Sequence, residues 1–174
     1  MQRVLIPMER LKLMKRDGSI AEQIEKCCRC NVSVGDDGVE VSGDPLGEFS
    51  ASNIAFAFGR GFDIGTACML AHEDFYFSLI DLEQYFGSEN RIHQVKARII
   101  GENGKVKMTI ERVSNAKMSV YGNTVCFIGT HEGISEAKAA VDALIAGESH
   151  RNAYRKMEAT HRKNRELSRG LLNK

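Results

Sequence analysis

Gly101 and Gly104 enclose Glu102 and Asn103, and the four residues stand directly before Lys105-Val-Lys107. Two glycines at this spacing leave backbone N–H groups open and let a sugar-phosphate chain approach with no Cβ in its way. A helix starting near Gly104 adds the pull of its N-terminus on anions, about 0.3–1 kcal/mol for each exposed contact. Arg98, Lys105 and Lys107 surround the loop with positive charge, and Glu102 sets one carboxylate against it. Ile99, Ile100, Val106 and Ile110 offer an apolar floor for bases, with Met118 to Tyr121 as a facing wall. This chemistry holds a polyanion and does not cut it. Glu102 and Glu111 lie about 180° apart round a continuous helix, so they do not converge on one metal ion. The five histidines, 72, 93, 131, 150 and 161, show no ligand spacing, and no nucleophile–base arrangement stands out. Neither a catalytic residue, a metal nor a cofactor is expected.

A second candidate lies in the last 28 residues, which read as one helix. Arg151, Arg155, Arg162, Arg165 and Arg169 fall within about 40° of one line at 100° per residue. Tyr154, Met157 and His161 form a neighbouring stripe. Such a run suits a phosphate backbone, or it is the solvated face of a charged helix. The charge gradient favours an anionic partner met from the C-terminal side. Residues 1–74 carry 8 Lys/Arg against 12 Asp/Glu, residues 75–146 carry 8 against 8, and residues 147–174 carry 8 against 3.

The elements that must position these residues come in two copies. Shifted by 86 residues, the chain aligns with itself without a gap and gives ten identities across 45 positions. Among them are Gly18/Gly104, Glu25/Glu111, Val39/Val125, Gly43/Gly129 and Gly47/Gly133. Two copies make a duplication, not a solenoid. In the second copy, Phe75 to Leu82 reads as a strand, and Ile92, Val95 and Ile99 mark a helix face. After the glycine loop, Val106, Ile110 and Val113 mark another helix. Lys117–Tyr121 and Thr124–Ile128 flank Gly122-Asn123 as a hairpin, and Ser135–Ile145 is helical. The order is β-α-α-β-β-α, and residues 1–58 repeat it more tersely.

A β-α-α-β-β-α unit with Ile99-Ile100-Gly101-Glu102-Asn103-Gly104 between its first two helices resembles the KH domain. Two such units, the first with the degenerate loop Lys15-Arg16-Asp17-Gly18, resemble the partner-of-Nob-one family of small-subunit ribosome assembly factors. The junction Ala55-Phe-Ala-Phe-Gly-Arg-Gly-Phe62, then Glu73 to Leu82, is similar to that family's, as is Gly147-x-x-His150 with Tyr154. The short N-terminus looks like the archaeal type. The resemblance implies an α+β fold of two tandem type I KH-like units, each a three-stranded antiparallel sheet with helices on one face, plus a C-terminal helix. The units are 1–58 and 75–146, with 59–74 as linker and 147–174 as basic tail. It implies a non-enzymatic factor that binds single-stranded RNA at the 3′ end of small-subunit rRNA, with about four nucleotides in the clamp. The residues expected to hold RNA are Arg98, Ile99, Ile100, Gly101, Glu102, Asn103, Gly104, Lys105, Lys107, Arg151 and Arg155. The implied partners are the endonuclease that trims that end and the alpha subunit of translation initiation factor two. The alternatives are a general KH RNA-binding protein and a protein-interaction adaptor in translation, which Glu102 in the loop would suit.

Composition fits. The 174 residues are 43% hydrophobic and 27% charged, as in a globular chain. No apolar run is long enough for a membrane span and the apolar stretch at the N-terminus is too short for a signal peptide, so a cytoplasmic location is expected. Cys27, Cys28 and Cys30 make one Cys-x-x-Cys without the second pair a structural zinc needs, so partly buried thiols at a helix-to-strand corner are expected, with intermolecular zinc or redox use as the alternative. Gly59-Arg-Gly-Phe-Asp-Ile-Gly65 is a misspaced dinucleotide fingerprint with no strand before it.

Overall fold

Val39 and Val41 alternate with the half-exposed Glu40 and Ser42, and the strand they form is the centre of the first of two sheets. The structure, a computed structural model, describes residues 1–172. The first half runs β1 (Gln2–Leu5), α1 (Met8–Arg16), α2 (Ser19–Cys28), β2 (Asn31–Val34), β3 (Gly38–Ser42) and α3 (Pro45–Gly59). A short α4 (Ile64–Ala67) and a 3-10 turn follow. The second half runs β4 (Tyr76–Asp81), α5 (Glu89–Ile100), α6 (Lys105–Ser114), β5 (Lys117–Tyr121), β6 (Thr124–Gly129), α7 (His131–Ile145) and α8 (His150–Leu172). Both sheets are antiparallel, in the orders β1-β3-β2 and β4-β6-β5. Among the described residues no helix is long and apolar enough to cross a membrane.

The identities of the duplication are the stitches of this architecture. Glu25 accepts the N–H of Val32 at 2.8 Å, and Glu111, 86 residues on, accepts the N–H of Met118 at 2.7 Å. Each carboxylate ties the second helix of its half to the following strand. A Cβ on Gly47 would lie 2.6 Å from the carbonyl oxygen of Cys28, and one on Gly133 would lie 2.5 Å from that of Ser114. Asp44 and Thr130 cap the third helix of each half by accepting the N–H of those same two glycines. Arg29 and Asn115 both end their helices in the left-handed region, at φ 52° and 55°. The register between the last two strands is also shared, Val32 opposite Val41 and Met118 opposite Phe127.

The two halves are not covered alike. β3 buries one face. β6 is buried at all six positions. Val125 and Phe127 lie in a core with α5, α6, α7 and α8, while Cys126 and Ile128 belong to the core of the first half. Phe77 and Leu79 of β4 join them, with the Phe77 ring edge-on to Phe56 of α3 at 5.5 Å. The intervening segment 59–74 is itself folded. Phe62, Ala67 and Leu70 are buried, and Asp63 caps α4 through the N–H and hydroxyl of Thr66. Arg10 clasps the start of this segment, donating to the carbonyls of Phe58 at 2.9 Å and Phe62 at 2.5 Å, with its guanidinium 4.0 Å from the Phe58 ring. Ser119 donates to the carbonyl of Arg60 at 2.7 Å, and the Tyr121 phenol to Glu9 at 3.1 Å.

Candidate nucleic-acid interface

The glycine loop has a geometry that its residue types dictate. Gly101 ends α5 at φ 73° and ψ 174°, a region essentially open to glycine alone. A Cβ there would stand 2.3 Å from Cγ2 of Val106. Asn103 (φ 52°, ψ 29°) and Gly104 (φ 75°, ψ 9°) follow in the left-handed region, which Asn and Gly tolerate. Around Gly104 the space is open, with no atom within 4 Å of the position of a Cβ. α6 starts with no acidic side chain in its first turn and no side-chain acceptor on its first N–H groups. The N–H groups of Gly104 and Lys105 turn back onto the carbonyls of Gly101 and Glu102, and the helix dipole stands behind the donors that follow.

The first half lacks this geometry. Lys15, the counterpart of Gly101, continues α1 as helix and pairs with Asp36 at 3.0 Å. Gly18 keeps φ −60°, and Asp17 accepts both the N–H and the hydroxyl of Ser19. A carboxylate of the chain's own thus occupies the position that the second half leaves open.

The expected site residues separate into several groups. Glu102, Asn103 and Lys105 are exposed at the loop tip, and Ile100 is half-buried beside it. Ile99 and Ile110 are fully buried, so they hold the loop from beneath and are not a floor for bases. Val106 is nearly so, wedged under Gly101. Lys107 pairs with Glu111 at 3.3 Å, which leaves that carboxylate shared between Lys107 and the N–H of Met118. On the expected wall Met118 and Ser119 are buried, and the linker at Arg60–Gly61 covers Ser119. Sequence reasoning missed Met108, which is 54% exposed on α6. Its signal was an apolar residue off the Val106–Ile110–Val113 stripe.

Arg98 points away from the loop. Its guanidinium donates to the carbonyls of Leu144 at 3.3 Å and Glu148 at 2.5 Å, closing the C-terminal end of α7. Its own carbonyl lies 3.0 Å from Nε2 of His150, the first residue of α8. Arg98 therefore fixes the corner where α5, α7 and α8 meet, one turn from the glycine loop. Arg98→Ala should lower stability in urea by about 1.5–3 kcal/mol, the range for charged hydrogen bonds. Unchanged stability with lost RNA binding would instead place this guanidinium on a phosphate.

α8 is docked along α7 and is not a free arm. Ala153 and Met157 are buried in the second core. The buried Glu136 meets Nδ1 of His161 at 3.0 Å and accepts from Asn164 at 3.0 Å, and Ser168 donates to Glu132 at 2.7 Å. Arg151, Arg155, Arg162, Arg165 and Arg169 all remain exposed on another side of the helix.

The cysteines lie where expected, with Cys27 exposed and Cys28 and Cys30 buried at the corner between α2 and β2. Burial pushes the thiols of Cys28 and Cys68 up to about 12 and that of Cys126 up to about 11. The thiolate is the reactive form. Iodoacetamide at pH 8 should therefore mark Cys27 first and reach Cys126 only on unfolding; equal rates in the native protein would contradict this. In the unfolded chain these thiols titrate near 9. The unfolded state thus releases protons first, and stability should hold to about pH 9 and fall between there and about pH 12. Among the described residues no three His, Cys, Asp or Glu side chains converge as metal ligands.

A family model described as a eukaryotic-type KH domain, KH-domain type I, and named for the second KH domain of PNO1, matches residues 76–162. A KH domain-containing protein of Methanocaldococcus jannaschii is 37% identical over 165 residues, 91% of this chain and 73% of that protein. The pre-rRNA-processing protein pno1 of Aspergillus fumigatus is 32% identical over 94 residues, 52% of this chain and 37% of its own length. The chain thus spans less than half of that relative. A chain in the crystal structure of an a/eIF2alpha-aDim2p-rRNA complex from Pyrococcus horikoshii superposes with a TM-score of 0.84 at 31% identity, covering 93% of this chain and 94% of that one. Matched across half its length by the family model and across nine-tenths by an archaeal relative, the chain belongs to the partner-of-Nob-one (PNO1) family of KH-domain proteins.

Proposed function

We propose that this chain is a non-enzymatic assembly factor of the small ribosomal subunit that holds the single-stranded 3′ end of its rRNA and presents it for maturation. It is built of two tandem type I KH-like units, 1–58 and 75–146, joined by 59–74 and followed by the basic tail 147–174, and it works in the cytoplasm. The observation that carries this reading is the glycine loop: a helix start with no side-chain cap and no acidic residue in its first turn, approached without a Cβ at Gly104. Lys105 at the loop and Arg151 and Arg155 beyond the Arg98 corner extend the anion path along α8. Gly101, Glu102, Asn103 and Ile100 line the entry, while Arg98, Ile99 and Lys107 position it from behind.

The name of the Aspergillus relative supports a role in rRNA processing, and the Pyrococcus complex supports rRNA and the alpha subunit of the initiation factor as partners. The endonuclease partner follows from the need for a cutting agent. Phosphodiester hydrolysis needs a positioned base, an acid or clustered metal ligands. Of the two carboxylates nearest the loop, Glu111 is taken up by Met118 and Lys107. Purified chain should leave a 3′-terminal small-subunit rRNA fragment intact with Mg²⁺ or Mn²⁺, yet alter the rate or position of cleavage once the nuclease is added. Metal-dependent cleavage that disappears with Glu102→Gln would overturn the non-enzymatic part. An unchanged nuclease profile would overturn the steering part.

A further inference from the structure

β4 borders the second sheet on the side away from β5, so every second residue of Tyr76–Asp81 turns its N–H and C=O outward. At six residues it is the longest edge strand described; β1 and β2 have four and β5 has five. Edge strands are ordinarily blunted by Lys, Pro or a bulge. Tyr-Phe-Ser-Leu-Ile-Asp has none of these and pairs with β6 in unbroken register. A hollow opens beside it on each face. Toward α3, Leu46, Phe49, Leu70, Phe75 and Phe77 line a cavity of about 520 Å³, with Leu46 74% and Phe49 59% exposed. Toward α7, Tyr76, His131, Ile134, Lys138 and Asp142 line one of about 610 Å³. Successive side chains of a strand point to opposite faces, so neighbouring residues of an added strand would enter the two hollows in turn.

Charge specifies what kind of strand fits. Residues 61–90 contain Asp63, Glu73, Asp74, Asp81, Glu83 and Glu89 and no Lys or Arg. Glu73 and Asp74 bracket the start of β4, and Asp81 and Glu83 its end. Residues 91–117, which carry the glycine loop, hold seven Lys/Arg against Glu102 and Glu111. Charge thus disfavours RNA at β4 and favours it at the segment that carries the glycine loop. A second copy of this chain, pairing β4 to β4, would set acidic brackets against acidic brackets.

We propose that the β4 edge docks an extended peptide segment of a partner protein, apolar at alternate residues and basic at its flanks, which joins the second sheet as a fourth strand. Peptide and RNA then occupy separate surfaces, the β4 edge and the glycine loop, and bind together.

The test uses the full chain and a fluorescein-labelled nonapeptide alternating Val with Ser and flanked by Lys and Arg, against a counterpart with Glu in the flanks. The basic peptide should bind at least about tenfold more tightly than the acidic one, a difference of about 1.4 kcal/mol. Hydrogen exchange at the outward-facing amides of 76–81 should slow at least tenfold on binding. Leu46→Ser with Phe49→Ser, both at exposed positions, should weaken the peptide about tenfold and leave RNA affinity unchanged. Glu73→Lys with Asp74→Lys should remove most of the preference between the peptides. Absence of binding, or binding without protection of 76–81, would overturn the proposal. So would protection of those amides in the free chain together with a dimer in sedimentation, which would assign the edge to a second copy. RNA affinity is read separately, so loss of the glycine-loop reading leaves this outcome untouched.

Discussion

Gly104→Asp should weaken binding of a short single-stranded RNA by a hundredfold or more, about 2.7 kcal/mol, while the chain still melts cooperatively. The position suits the test because a new side chain there meets nothing, so packing is preserved. The backbone penalty of a left-handed residue is about 1–2 kcal/mol, which a domain of this size tolerates. The carboxylate, by contrast, would sit at the mouth of α6, where Asp17 already sits in the first half. Gly104→Ala separates the two effects, since it carries the strain without the charge and should lose much less affinity. Gly101→Asp added to Gly104→Asp should complete the loss, but it also drives a Cβ into Val106 and needs its melting curve beside it. Affinity unchanged in Gly104→Asp would move the RNA off this loop.

Replacing Arg151, Arg155, Arg162, Arg165 and Arg169 by Gln should flatten the salt dependence of RNA binding. Every phosphate that the chain no longer neutralises lowers the slope of log K against log salt by roughly 0.7 on a single strand. If each arginine neutralises one phosphate, the slope falls by about 3.5, so between 0.05 and 0.2 M salt the variant should lose roughly a hundredfold less affinity than the parent. Truncation before residue 151 is the poorer experiment, because Ala153 and Met157 fill the second core and their removal would open it. An unchanged slope would leave the arginines to solvent or to a protein.

The element order and the special loop were legible because both rest on local rules. A stripe at 106, 110 and 113 needs one buried face, and a glycine at 101 needs a backbone no other residue adopts. The 86-residue repeat was legible for a deeper reason, since its identities mark close approaches such as Gly47 on Cys28 and Gly133 on Ser114. Tertiary partners were not legible. Nothing local tells that Arg98 reaches carbonyls 46 and 50 residues away, or that Glu136 anchors His161 of α8. The buried state of Ile99 and Ile110 depends on α7 covering them, so an apolar floor and an apolar core look the same in sequence. The segment 59–74 reads as a linker because its glycines hide short helical turns whose apolar residues are buried by the core of the first half.

Cys126 and Ile128 complete the core of a half that is otherwise translated long before them. During synthesis, helix α3 ends at Gly59, but Cys126 and Ile128 of its core lie in β6, which ends at residue 129. At about 5–20 residues per second, that interval of some seventy residues lasts roughly 3–14 s. Through it the nascent chain carries an unfinished apolar face. The order of translation therefore makes the second half the lid of the first, and a chain arrested near residue 75 would be a client for chaperones and proteases rather than a free-standing module.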